Sequence, residues 1–335
     1  MHTALRASNA SGNPLRRMTA LPYFTSAVSA LLLALLFAGG ACAYPAFLSL
    51  QVVCNLLIDN AFLLVLAVGM GFVILSGGID LSVGSVLALT TMCAAWMVQV
   101  WHWPAGWAIA CCLAGGSLFG AVMGLLIHVF KLQAFIVTLG GMFLARGLCY
   151  LISVDSMPID NTFFVAASQT QIPVLGAFVS PAAVVAMVLL IVAILVAHLT
   201  PLGRTVYAIG GNEQSALMMG LPVARTKILV YAFSGFCSAL AGILFAFYML
   251  SGYALHAQGV ELDAIAAVVI GGTLLTGGSG YIAGALTGVL VLGVIQTLIA
   301  FDGTLSSWWT RIVIGALLFA FCVVQRIVVL TAGRR

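Results

Sequence analysis

AVGMGFVILSGGIDLSVGS, residues 67–85, sets two apolar runs on either side of a glycine pair and an aspartate. Asp80 is one of only eight acidic residues in a chain of 335. Gly77 and Gly78 can end a helix without a Cβ penalty. Asp80 or Ser82 can then cap the next helix by accepting its free N–H groups, and a carboxylate there meets the positive end of the helix dipole. The stretch therefore predicts a helix that breaks and restarts inside an apolar region. At membrane depth such irregular backbone survives only when buried in protein or facing water. Two readings of Asp80 stand side by side: a capped turn, and an inner gate on a transport path.

Composition places the whole chain in a membrane. Hydrophobic residues make up 63% and charged residues 6%, and mean hydropathy is +1.22. Soluble domains are about 45–50% apolar and about 25% charged. A net charge of +4 is no nucleic-acid signature, because the basic residues punctuate the ends of apolar runs instead of forming a patch. The eight cysteines contain no C-x-x-C pair and read as small hydrophobes within apolar runs, not as metal ligands or disulfide partners.

A membrane span needs about 20 apolar residues. Ten segments qualify, at about 22–43, 55–76, 81–100, 107–127, 134–153, 180–199, 227–250, 263–277, 281–300 and 309–327. The first follows Arg16 and Arg17 but is longer than a signal-peptide core, so it is taken as an uncleaved span. Residues 1–20 read as a polar, disordered cytoplasmic tail ahead of a permease domain over 21–330. With the N-terminus in the cytoplasm, Arg6, Arg16, Arg17, Lys131, Arg204, Arg225, Lys227, Arg326, Arg334 and Arg335 all fall inside. Asp155, Asp160, Glu261 and Asp302 fall in outer loops, and only Arg311 lies near the outer face. The expected fold is an all-α polytopic membrane protein of about ten transmembrane helices, some broken at glycine, with both termini inside.

The opening stretch has an echo. AVVIGGTLLTGGSGYIAGA (267–285) repeats Ala67, Val68, Gly77, Gly78 and Gly84 at a distance of 200 positions. Gly277 and Gly278 thus mark a second expected break. Gly116, Gly120 and Gly124, and likewise Gly280, Gly284 and Gly288, read as close helix contacts, since small residues at this spacing let helices approach. Arg146, well inside the fifth span, needs a partner or a wet cavity. Asp59 is the candidate partner; snorkelling to the outer surface is the alternative. Asp59, its neighbour Asn60, Arg146, Glu261 and Asp263, with Gly77, Gly78, Asp80, Ser82, Gly277 and Gly278, form the expected pathway and gate. Glu261 and Asp263 stand where the eighth span begins, where they can meet a hydroxylated solute or a docking protein, an ordinary solvated loop being the alternative.

The chain has two lysines, Lys131 and Lys227, and neither follows a glycine, so no G-x-x-x-x-G-K-[ST] phosphate loop exists. No H-E-x-x-H or G-x-S-x-G motif occurs. These absences argue against an enzyme and predict no cofactor. A transporter then draws its energy from an ion gradient or from another subunit. The inner segment TPLGRTVYAIGGNEQSALMMGLPVARTK (200–227) bears on the choice. Gly210 and Gly211 break the chain, Asn212 caps a short helix, Gly220 ends it and Pro222 bars continuation. A capped helix outside the membrane, bearing Ala216, Leu217 and Met219, reads as a docking element, an interfacial amphipathic helix being the alternative.

At these residues the sequence resembles the ribose-type permeases of bacterial ABC sugar importers. The resemblance rests on LAVGMGFVILSGGIDLSVGS, GRTVYAIGGNEQSA and ELDAIAAVVIGGTLLTGGSG in their order and spacing, and covers nearly all of the chain after residue 50. NLLIDNAFLLVLAVGM, GVELDAIAAVVIGGTLL and FDGTLSSWWTRIVIGALL look closer still to galactofuranose permeases. The resemblance implies a type II importer permease in the bacterial inner membrane, paired with a homologous or identical second permease. A cytoplasmic ATP-binding subunit would dock on 200–227, with Gly210, Gly211, Asn212, Glu213, Ala216 and Gly220 at the contact. A periplasmic sugar-binding protein would deliver a monosaccharide. Permeases for ribose or another pentose or hexose, and ion-coupled secondary transport, are the alternatives. Trp308 and Trp309 read as an interfacial belt.

Overall fold

A computed structural model describes residues 24–303 and 308–332. Among these are fourteen α-helices: α1 (Phe24–Ala43), α2 (Leu50–Asp59), α3 (Ala61–Leu75), α4 (Val83–Gln99), α5 (Ala105–Val129), α6 (Ala134–Ile152), α7 (Thr162–Gln169), α8 (Pro181–Leu199), α9 (Pro201–Gly211), α10 (Glu213–Met218), α11 (Val223–Met249), α12 (Val260–Ile270), α13 (Gly284–Asp302) and α14 (Trp308–Ala332). Two short antiparallel pairs join the connections. β1 (Met157–Pro158) pairs with β4 (Ser251–Gly252), and β2 (Ile172–Val174) pairs with β3 (Ala177–Val179). The expected tail over 1–20 lies outside the described residues.

Each of the ten predicted segments contains helix, but not each is a full crossing. Among the described residues α5, α6, α8, α11 and α13 are long and apolar enough to span a bilayer. The α2–α3 pair, bent by 58° at Asn60, makes a sixth. Asn60 stands at the bend because its side-chain amide donates to the Leu56 carbonyl (2.9 Å), turning back on α2 instead of continuing the helix.

The eighth predicted span, 263–277, needs correction. Helix α12 has 11 residues, about 16 Å of rise, roughly half a bilayer. Residues 271–283 are not helical. Gly272, Gly277, Gly278 and Gly280 there take φ of +97°, +83°, +72° and +140°, values that stop a helix and that only glycine adopts at little cost. Gly280 therefore lies in the break and not, as its spacing with Gly284 and Gly288 suggested, on α13.

Helix α11 is the centre of the bundle, packed along α5, α3 and α4, and two thirds of its most apolar window is buried. Gly116, Gly120 and Gly124 form the face of α5 that meets it. A Cβ on any of them would run into Gly235, Tyr231 or Ile228 of α11. Gly284 and Gly288 likewise bring α13 onto Gly271 and Ala267 at the end of α12. Side chains this small allow the contact, and where apolar residues face lipid as readily as protein, such close approach is what holds helices together.

Candidate functional site

Helix α3 ends at Leu75, Gly77 takes φ +83°, and the chain runs non-helically to α4. Asp80 is 2% exposed. Its Oδ1 accepts from the Ser82 amide (3.0 Å) and hydroxyl (2.6 Å), and its Oδ2 accepts from the Ser234 hydroxyl on α11 (2.7 Å). Ser82, at the start of α4, makes no side-chain cap bond. Of the two expected caps Ser82 is thus corrected, while Asp80 does accept a free amide where α4 begins, that of Ser82. A buried carboxylate takes the donors within reach, and one of these is on another helix, so Asp80 fastens the break to α11. The break is held further by Thr138 of α6, which donates to the Ile79 carbonyl (3.2 Å). Gly78 is needed where Tyr231 comes close, since a Cβ would fall on its hydroxyl.

The second break, between α12 and α13, lies against the first. The Gly278 amide donates to the Leu75 carbonyl (3.0 Å). A Cβ on Gly277 would sit 2.8 Å from both Cα and N of Gly77. The two copies of the sequence echo therefore meet at their glycines. A third glycine pair joins them: a Cβ on Gly210, near the end of α9, would collide with the Leu75 carbonyl and the Gly278 amide, and one on Gly278 would press on the backbone of Gly211. From α9, Tyr207 also donates its hydroxyl to the Gly280 carbonyl (2.9 Å).

Segment 200–227 forms the short capped helix its punctuation predicts, but Gly210 and Gly211 do not break the chain: both lie in α9, which ends at Gly211. Thr200 caps α9 by accepting from Gly203 (3.3 Å), and Asn212 caps α10 by accepting from Ser215 (2.8 Å). Gly220 takes φ +73° and precedes the chain's entry into α11. Ala216 faces inward and packs with Ile209 and Val223. Leu217, Met218 and Met219 face outward, Met218 being 86% exposed. Glu213 pairs with Lys227 at the start of α11 (2.7 Å). Of the residues expected at the coupling contact, Gly211, Asn212, Glu213 and Gly220 lie on the outside. Ala216 and Gly210 point into the protein.

Toward the opposite end, the expected Asp59–Arg146 pair does not form. Arg146 donates from Nη1 to the carbonyls of Ala254 and His256, the latter at 2.8 Å. Residues 251–259 thus fold back against α6, and the guanidinium is satisfied by their carbonyls. Asp59 instead faces the Tyr248 hydroxyl at 3.5 Å. Glu261, in the first turn of α12, sets its carboxylate over Gly84, where no Cβ would fit. Asp263 shares that turn, and Arg311 reaches the preceding loop through the Gln258 carbonyl (3.2 Å). A cavity of about 310 Å³ opens beside Asp59, walled by Phe62, Phe247 and Tyr248 with Ser168 and Ser180, at the small end of the range for small-molecule sites. Its aromatics come from two chain regions some 185 residues apart, which is why sequence reading found no such pocket.

Residues 52–322 match the family described as branched-chain amino acid transport system / permease component. The chain is 50% identical to the inner membrane ABC transporter permease protein YjfF of Escherichia coli (strain K12), over 84% of this chain and 86% of the relative. It is 39% identical to the fructose import permease protein FruG of Bifidobacterium longum (strain NCC 2705), over 88% of each. It is 38% identical to the ribose import permease protein RbsC of Escherichia coli (strain K12), over 80% and 84%. With its broken spans and glycine contacts, this chain belongs to that permease family, among the ribose-type sugar importers, as a multi-pass, non-catalytic translocation subunit.

Proposed function

We propose that the chain carries a monosaccharide, galactofuranose foremost, across the bacterial inner membrane as one of two permease chains of an ABC importer. A hydroxyl-rich sugar cannot cross hydrocarbon, because its hydrogen bonds to water would be lost. The observation that carries the reading is the docking helix α10, capped, clamped to α11 and exposing Leu217, Met218 and Met219. A loop that merely reversed the chain would need none of this. An ATP-binding subunit on that surface supplies the force, and a periplasmic sugar-binding protein supplies the sugar on the other side. Both termini then lie in the cytoplasm, the orientation the basic residues favour. Asp59, Asn60, Arg146, Glu261 and Asp263 belong to the outer half of the path, and Gly77, Gly78, Asp80, Ser82, Gly277 and Gly278 to its inner gate. The galactofuranose reading rests on the three segments that resemble galactofuranose permeases. Ribose is the second reading, favoured by relatives named as ribose import permeases.

The test is reconstitution in liposomes with the partner ATPase, permease and binding protein. ATP-dependent uptake of labelled galactofuranose, outcompeting ribose and fructose, is the expected result. Preference for ribose would replace the sugar and leave the rest. Accumulation by the chain alone under a proton or sodium gradient would overturn the ATP-driven reading.

A further inference from the structure

We infer that α9 and α11 are two separate arms that carry the motion of the docking helix, one to each break, with Tyr207 and Ser234 as their positioning residues. The inference rests on the docking role proposed for α10. Helix α10 is joined to α9 through the single residue Asn212, and to α11 through residues 219–222. Its Glu213–Lys227 ion pair and the packing of Ala216 against Ile209 and Val223 fix it to both neighbours. Each neighbour then holds a different break. Tyr207 of α9 donates to Gly280 in the second, and Ser234 of α11 donates to Asp80 in the first. The breaks touch at their near ends, through the Gly278–Leu75 hydrogen bond and the contact of Gly277 with Gly77. Gly210 lies on that crossing with no side chain between the strands of backbone. Close-packed backbone has no rotamers to absorb a shift, so the crossing acts as a pivot and the arms decide what each far end does.

Glycine substitutions at the crossing risk misassembly, so the test uses side chains that leave it intact. Tyr207→Phe and Ser234→Ala each remove one hydroxyl and touch neither the crossing nor the exposed face of α10. Both are made in the full permease with its ATPase bound. Reporter cysteines replace Leu81 in the first break or Ser279 in the second, with Cys42 and Cys111 changed to serine. Labelling by a water-soluble maleimide is followed with and without ATP, alongside ATP spent per sugar carried. With both arms intact, ATP changes labelling at both reporters. Tyr207→Phe should blunt the response at 279 while sparing 81, and Ser234→Ala should do the reverse. In both, ATP spent per sugar should rise about fivefold or more, the range of ordinary coupling energies, with the ATPase retained as on the unmodified chain. Unchanged ATP cost in either variant, or equal loss at both reporters, overturns the inference. If the unmodified chain retains no ATPase, the docking reading falls and the two-arm inference with it.

Discussion

In the first broken span, between α3 and α4, a carboxylate holds the turn. Asp80 gathers two donors from Ser82 and one from Ser234. In the second, between α12 and α13, the position 200 residues later is Gly280, and its carbonyl accepts from Tyr207. Ser82 likewise corresponds to Ile282. A duplicated chain path can thus keep its backbone and change its fastening. The first copy buries a charge that must keep every donor to stay where it is. The second has four glycines at positive φ, and the Tyr207 hydroxyl is among the groups that hold it. The two breaks share a chain path and differ in the side chains that fasten it.

The sharpest way to break this comparison is at the glycine the two copies share. Gly277→Val forces a β-branched residue to φ +83° and pushes its Cβ to within 2.8 Å of the Gly77 backbone. Uptake per inserted permease should fall more than about 100-fold, equivalent to roughly 3 kcal/mol. Gly211→Ala, with nothing within 4 Å of the new Cβ, should fold and insert as the unmodified chain does. Next comes the charge. Asp80→Leu strands three donors in the core and should destabilise the purified protein by about 3–5 kcal/mol in thermal unfolding. Asp80→Asn keeps an acceptor for Ser82 and can donate to Ser234, so it should cost about 1–2 kcal/mol. Equal loss of uptake in the two would show that transport needs the charge itself and not only the fastening.

Smaller effects are expected at α10. Asn212→Ala removes the only side-chain cap of a six-residue helix at a cost of about 1 kcal/mol, read as roughly fivefold weaker retention of the ATPase. Glu213→Gln should matter least. Its partner Lys227 is largely covered but Glu213 is not, so the pair contributes at most about 1 kcal/mol. The difference from the unmodified chain should fade as salt is raised.

Local features were legible in the sequence and distant contacts were not. The cap at Asn212, the stop at Gly220 and the turn at Gly77 follow from residue type and neighbours. So do the helices themselves, because apolar runs are a local signal. The length of α12 was misread because residues 271–277 are apolar enough to extend a span while their glycines end it. Arg146 was assigned the wrong partner because sequence reading looks for an opposite charge, whereas its acceptors are backbone carbonyls, which every residue carries. The meeting of Gly77, Gly210 and Gly277 had no distinguishing mark either. Glycine pairs also occur at 39–40, 115–116, 140–141 and 271–272, and only the folded chain tells them apart. Ser234 and Tyr207 looked like ordinary helix residues for the same reason.

The seam between α5 and α11 is built on glycine. Gly116, Gly120 and Gly124 present bare main chain to Gly235, Tyr231 and Ile228. A seam of leucines would be a rack of teeth, and any slip would mean lifting each tooth from its socket. Here main chain lies on main chain, and α11 comes this close only because those positions carry no side chain. A side chain on any of the three glycines would push α11 off α5, whatever its polarity.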